Sequence, residues 1–320
     1  MKILVTGGAG FIGSNIVEEL LQDNRVELVR AIDDFSNGYR ANVEEFIKNP
    51  KYEFLEGDIC DYNFCIEATS GIDRITHQAA LGSVPRSIEN PMRTNEVNVG
   101  GTVNLLHAAK VNGASRIVLA CSSSTYGDSK ELPKAEEIIG NPISPYAVSK
   151  LTMELYAEVF QKTYGLDYVG LRYFNVFGPR QNPSNPYAAV IPIFCQAFID
   201  NRRPVINGDG LTSRDFTFVE NAVLANKLAI FSENDEAINE VYNVACGNEV
   251  TLDEMLKVLQ QFTGKDLKPT YGPSRIGDVK HSRADISKIQ RLLNYEPKVH
   301  FADGMRKVYQ WYEENQDIPQ

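Results

Sequence analysis

The sequence predicts an α/β fold: a doubly wound parallel sheet with a smaller mixed α/β part capping it. Three observations carry the prediction. A short apolar strand runs into a glycine-rich turn and a helix within the first twenty residues. Strand and helix patterns then alternate through the first half of the chain, which implies parallel strands joined by crossovers. The second half breaks that rhythm, with prolines and asparagines crowding residues 177–192.

Ile3, Leu4 and Val5 read as a buried strand, and Ile12, Ile16 and Leu20 recur at helical spacing after it. Between them, Gly8-x-Gly10-x-x-Gly13 fits the dinucleotide fingerprint, and Gly7, Gly10 and Gly13 fit a close variant. Glycines allow a tight turn, a close approach to a pyrophosphate, and a helix packed on its strand. The helix N-terminus then offers N–H groups and a positive dipole end to the phosphates. Residues 26–32 form the second strand, and Asp33 ends it about twenty residues past the glycines, as the fingerprint expects. A carboxylate there accepts from the adenosine ribose and repels a 2′-phosphate, so the expected cofactor is NAD. The bland reading is that Asp33 and Asp34 merely start a polar loop.

Residues 52–55 and 72–76 read as the third and fourth strands, and residues 90–112 as one helix stopping near Gly113. Residues 116–120 form the fifth strand and open into Ser122, Ser123 and Ser124. A long helix starts near Pro145, with Ser144 as its cap, and ends before Gly165. Residues 168–171 are the sixth strand; 216–219 and 241–244 read as further strands, and the chain from Thr251 is mostly helical. The expected division is a nucleotide-binding domain of residues 1–174 plus about 216–247. Residues 175–215 plus 248–320 form the capping domain.

A chain of 320 residues is long enough to bury a sizeable core. The net charge of −10, with no basic stripe, argues against nucleic acid as a partner. Five scattered cysteines without a Cys-x-x-Cys pair suit a reducing compartment. The four histidines lie far apart, so no metal site is expected. The N-terminus is no signal peptide, and the longest apolar run, 188–195, contains Pro192 and is too short for a bilayer. A cytoplasmic protein without a membrane segment is expected.

Two Tyr-x-x-x-Lys matches occur, Tyr126/Lys130 and Tyr146/Lys150. The first encloses Gly127, Asp128 and Ser129, a loop composition. The second falls in the first turns of the long helix, where positions i and i+4 share a face. A neighbouring ammonium stabilises a phenolate and makes the tyrosine usable as a base. The bland reading is an ordinary amphipathic surface helix. Ser122, after the fifth strand, would donate to or relay a proton from a substrate oxygen.

These pieces together resemble the extended short-chain dehydrogenase/reductases, in their nucleotide-sugar epimerase branch. The matching stretches are residues 6–13, 57–59 and 77–80, Asn98, residues 122–127, 145–150 and 172–179, 207–210 with 214–216, and Arg275 with 277–279. Residues 77–87 are similar to those of bacterial UDP-N-acetylglucosamine 4-epimerases of surface-polysaccharide synthesis. One departure is Glu220, where the family more often carries Asp. The resemblance implies a Rossmann sheet, a homodimer built on the helices of 90–112 and 145–164, and NAD as cofactor. It implies that NAD lies on Gly7, Gly10, Phe11, Ile12 and Gly13, on Asp33, Asp34, Phe35, Ser36, Asn37 and Gly38, and on Asp58, Ile59, Gln78, Ala79, Ala80, Asn98 and Phe174. Ser122, Tyr146 and Lys150 would be catalytic and also touch the cofactor. A UDP-sugar would be held by Ser83, Ser123, Ser124, Tyr146, Asn175, Ala189, Val190, Asn207, Arg214, Arg275, Asp278 and Ser282. In this scheme Tyr146 deprotonates the sugar 4-hydroxyl, a 4-keto sugar forms and rotates, and hydride returns to its other face. Asn175, Arg214 and Arg275 hold the diphosphate. Ser282 stands where some relatives carry a large residue, leaving room for an N-acetyl group. A dehydratase of the same family would carry Asp-Glu at 123 and 124, where this chain has two serines. A UDP-uronate decarboxylase or epimerase of the same family is excluded less firmly. A non-catalytic NAD-sensing protein would have no need of Tyr146 and Lys150 in register with Ser122.

Overall fold

The structure, a computed structural model, describes residues 1–182, 189–273 and 280–316. Its main sheet has seven strands: β1 (Lys2–Thr6), β2 (Leu28–Asp33), β3 (Tyr52–Glu56), β4 (Arg74–His77), β5 (Arg116–Ser122), β6 (Asp167–Tyr173) and a seventh, Glu240–Val244. All pair in parallel, in the spatial order Glu240–Val244, β6, β5, β4, β1, β2, β3. The chain grows outward from β1 to β3, then crosses to the other side of β1 to lay down β4. That reversal opens a crevice beyond the carboxyl ends of β1 and β4, where such sheets bind ligands.

Alternation along the strands gives each face its own core. Ile3 and Val5 face helix α1 (Phe11–Gln22) and pack with Ile16, Val17 and Leu20. Leu4, Ile75, Ile117 and Leu119 face the other way, against Leu105, Leu106 and Met153. Helix Pro145–Tyr164 forms as the sequence predicts: Ser144 Oγ accepts from Ala147 N–H at 3.1 Å, and Gly165 (φ 70°) closes it.

Two expectations change. The strands run further toward their carboxyl ends than the apolar runs suggest. β5 pairs through Cys121 with Arg172 and through Ser122 with Tyr173, so Ser122 is a strand residue and not a loop one. The backbone ladder needs no apolar side chain, and polar residues at the crevice keep pairing. The helix expected over 90–112 is three pieces: Pro91–Asn95, a wider π turn over Glu96–Gly101, and Thr102–Val111. The π turn ends where the backbone packs closely. A Cβ on Gly101 would lie 2.6 Å from Ile59, so the backbone approaches that side chain more closely than any other residue allows.

The capping part is built from short pairs, Val205–Asn207 with Thr270–Gly272 and Ser213–Arg214 with Val250–Thr251, and from helices Val190–Ile199, Leu252–Thr263 and Phe301–Glu314. Phe177, Phe216, Phe218 and Phe301 join it to the sheet as a ring cluster with centroids 5.4–6.3 Å apart. Among the described residues no helix is long and apolar enough to cross a membrane.

Candidate active site

A cavity of about 530 Å³ fills the crevice. Its floor is the glycine turn. Gly7 sits at φ +68°, and a Cβ there would lie 2.8 Å from the Ala79 nitrogen. A Cβ on Gly13 would collide with the Gly7 carbonyl oxygen. Helix α1 begins at Gly10 with no side-chain cap and no acid in its first turn. Its N-terminal N–H groups and dipole are left for an anion. Asp33 ends β2 almost fully buried; its carboxylate accepts from Ala9 N–H at 3.0 Å and Phe35 N–H at 2.8 Å. Burial pushes its pKa up, and those N–H groups oppose the rise. These features fit a dinucleotide: a cradle that any Cβ would fill, an uncapped helix end, and a carboxylate beside the cavity.

At the far end lie Ser122, Tyr146 and Lys150. The spacing in the long helix puts phenol and amine on one face, with Lys150 Nζ 6.0 Å from the Tyr146 ring centroid. Lys150 is 3% exposed and donates to the Ala120 carbonyl at 2.7 Å. Burial lowers its pKa to about 8. Burial also raises the Tyr146 phenol, while the Ser122 hydroxyl pulls the other way. The ammonium is engaged with a backbone carbonyl and is itself weakened by burial. Ser122 Oγ accepts from Ser124 N–H at 3.1 Å. Ser124 Oγ is buried with no hydrogen-bond partner, and Ser124 stands behind the cavity wall formed by Ser122 and Ser123.

The machinery is braced from behind. One helical turn beyond Lys150, Glu154 forms a buried two-point pair with Arg172 at 3.0 and 2.8 Å, and Arg172 also donates to Tyr126 Oη at 3.1 Å. Asn98, on the π turn, accepts from Leu81 N–H at 2.8 Å and donates to Ser149 Oγ at 3.0 Å, tying the loop after β4 to the long helix. His77 is fully buried between Thr6 and Thr102, and burial lowers its pKa to about 3, so it is neutral.

The cavity walls bring together Gly7, Gly10, Phe11, Ile12, Gly13, Asp33, Asp34, Ser36, Asn37 and Gly38. They add Asp58, Ile59, Gln78, Ala79, Ala80, Ser122, Ser123, Tyr146, Lys150, Asn175 and Ala189. The remaining expected residues stand off these walls. Phe35 turns its ring toward Phe54, 5.4 Å away. Asn98 braces from behind, and Phe174 is core, packed on Tyr126. Ser83 caps helix Val84–Glu89, and Val190 begins Val190–Ile199. Asn207 ends a short strand, and Arg214 donates to the Ser213 carbonyl at 2.8 Å. The Ser282 carbonyl accepts from Asp215 N–H at 2.8 Å. Arg275 and Asp278 lie outside the described residues. The wall also includes Tyr173, inside the matching stretch 172–179 but assigned no role there, and residues that no motif singles out: Tyr39, Arg180, Gln181 and Asn182. Tyr173 follows from strand-end logic, two places past Leu171. The 180–182 segment carries no periodic signal.

Glycine turn, strand-end acid, and a serine, tyrosine and lysine at one sheet edge define a short-chain dehydrogenase/reductase of the extended type. The chain belongs to the GDP-mannose 4,6 dehydratase family, whose model matches residues 4–308. It is 35% identical to a putative UDP-glucose 4-epimerase of Methanocaldococcus jannaschii, covering 98% of this chain and 99% of that one. It is also 35% identical to the UDP-glucose 4-epimerase of Mycolicibacterium smegmatis, covering 98% of each. Among solved structures, the UDP-N-acetylglucosamine 4-epimerase of Methanobrevibacter ruminantium, in complex with UDP-N-acetylmuramic acid, superposes with a TM-score of 0.92 at 38% identity over 98% of each chain. The UDP-glucose 4-epimerase of Thermotoga maritima with UDP-glucose matches with a TM-score of 0.92 at 34% identity, covering 99% of this chain and 100% of that one. The Thermus thermophilus UDP-glucose 4-epimerase complex with NAD matches with a TM-score of 0.85 at 34% identity, over 98% and 99%.

Proposed function

We propose that this chain is an NAD-dependent UDP-hexose 4-epimerase, with UDP-GlcNAc/UDP-GalNAc as the leading pair and UDP-Glc/UDP-Gal as the second. The observation that carries the reading is one continuous cavity joining the glycine turn to Ser122, Tyr146 and Lys150. NAD, when bound, supplies a hydride acceptor and donor and the positive charge of its oxidised ring. Asp33 selects it over NADP by occupying the ribose end with a carboxylate. Tyr146 takes the proton of the sugar 4-hydroxyl, with Ser122 sharing the hydrogen bond, as C4 becomes a ketone. Lys150 keeps positive charge beside the phenol. After the sugar turns about its diphosphate link, the same groups return the proton on the other face, so the overall reaction is redox-neutral. Asn175 and Arg214 hold the diphosphate, and the small Ser282 leaves room for an acetamido group. Residues 1–174 with about 216–247 form the cofactor domain, and the remainder the substrate domain.

Dehydration, the activity in the family's description, is disfavoured by Ser123 and Ser124, which supply neither the acid nor the base that water elimination needs. A homodimer is part of the proposal. Val148, Leu155 and Val159 lie exposed at helical spacing on the long helix, as do Val84, Ile88 and Met92 on the preceding elements. A contiguous apolar face of this kind marks an interface.

The test is incubation with UDP-GlcNAc and no added oxidant, beside a panel of UDP-glucose and UDP-uronates. Epimerised product supports the reading. A stable keto sugar with accumulating NADH refutes it. Tyr146→Phe is expected to keep fold and NAD while losing most turnover; an unchanged kcat removes Tyr146 from its role.

A further inference from the structure

Asp215 is fully buried, and the turn after strand Glu240–Val244, the segment around 282–284 and Asn175 converge on it. Its Oδ1 accepts from Cys246 N–H at 3.0 Å; its Oδ2 accepts from Gly247 N–H at 3.0 Å and Ala284 N–H at 3.2 Å. Its own N–H donates to the Ser282 carbonyl at 2.8 Å, and its carbonyl accepts from Asn175 Nδ2 at 3.0 Å. Among the described residues it forms no ion pair. Burial pushes its carboxyl up to about 7, against the pull of the three N–H groups and of Arg283.

Such an acid is costly to bury, and its chemistry is specific. Three converging N–H groups need an acceptor on both oxygens and no donor. Only a carboxylate meets that; an amide would turn N–H against N–H. Other buried polar groups, such as His77 and the Glu154–Arg172 pair, brace the sheet and the long helix. Asp215 instead joins segments that carry substrate residues. Arg214 precedes it, Ser282 pairs with its backbone, and Asn175 donates to its carbonyl from a left-handed conformation (φ +38°) of the kind asparagine adopts.

We propose that Asp215 is a positioning residue that sets Asn175, Arg214 and Ser282 in register for the nucleoside diphosphate and sugar of the substrate. The inference rests on the reading that those three residues hold a UDP-sugar. It acts on binding, and the hydride and proton chemistry at Tyr146 is separate from it.

The test uses the NAD-loaded enzyme, with UDP as the calorimetric probe and epimerisation as the assay. Asp215→Asn is expected to raise the Kd for UDP and the KM for UDP-sugar about tenfold or more, with kcat within about threefold and NAD content unchanged. Adding Asn175→Ala to Asp215→Asn is expected to cost less than adding it to wild type, because the two act through one link. If Asp215→Asn does not fold, Ala284→Pro removes one of the three donors and leaves the carboxylate; the same rise in KM, smaller, is expected. Wild type that binds UDP with a folded variant that binds it equally overturns the inference, as does strict additivity with Asn175→Ala. Wild type that binds no UDP overturns the functional reading beneath it.

Discussion

Lys150 carries a cost that can be measured without turnover. Its amine is 3% exposed, donates to the Ala120 carbonyl, and is lowered by burial from 10.5 to about 8, with Cys121 and Glu154 pulling upward. That difference corresponds to about 3 kcal/mol at most. Below about pH 8 both folded and unfolded chains hold the proton, and the folded state bears the full cost of a buried ammonium. Between about 8 and 10.5 only the unfolded chain holds it, so stability rises with pH. Above 10.5 neither does, and the contribution is flat. Lys150→Met keeps the stem and removes the charge. Nucleotide-free Lys150→Met is therefore expected to be more stable than wild type at about pH 7, by as much as about 3 kcal/mol. The gap should close as pH rises toward 10.5. Urea unfolding of both proteins at several pH values measures it. A gap independent of pH would refute the reasoning, since only a titrating buried group produces the closure.

Gly13→Ala should abolish nucleotide retention, because its methyl has nowhere to go but into the Gly7 carbonyl oxygen; an adenine absorbance equal to wild type in the purified variant would contradict this. Leu155→Glu with Val159→Glu puts two charges on the exposed face of the long helix and should halve the mass seen by light scattering, and an unchanged mass would remove that face from the interface. Ser282→Tyr should shift preference toward UDP-glucose and UDP-galactose by filling the acetamido space; equal rates on acetylated sugars would count against it.

Much of the fold is legible because the informative residues are local. The spacing of glycines 7, 10 and 13, the acid that ends a strand at 33, and the capped start at Ser144 are each readable within a short stretch, although Gly7 and Asp33 meet the remote Ala79 and Ala9. The Tyr146/Lys150 pair is legible for the same reason, since a helix fixes i and i+4. Features that depend on remote packing are not. The π turn at Glu96–Gly101 ends at Gly101, whose backbone packs against Ile59, about forty residues earlier in the chain. Lys150 spends its proton on Ala120, a partner that only the packing of the long helix on β5 brings within reach. Arg180 lines the cavity while pairing with Glu18 at 2.7 Å and Glu45 at 2.7 Å, contacts that no periodicity announces.

The two halves of the site are held by different means, and this bears on what sets the substrate. The proposed cofactor side is made from strand ends inside a seven-strand parallel ladder, with Asp33, Ser122 and Tyr173 each in register with a neighbour. Moving any of them breaks ladder hydrogen bonds. The proposed substrate side is made from two- and three-residue strands and loop ends, joined by polar side chains such as Asp215 and Ser213. Short pairs carry few ladder bonds, so their positions follow from side chains that one substitution can change. Sugar preference is therefore expected to respond to changes in the segments around 175, 214 and 282. The hydride and proton chemistry proposed for Ser122 and Tyr146, locked in the sheet and the long helix, should remain as it is. Exchange of those three segments for those of a UDP-glucose 4-epimerase tests the division. A change in KM ratio with preserved kcat on the better substrate fits it. A loss of kcat on every sugar, with NAD still bound, would mean that the capping segments also shape the chemical step.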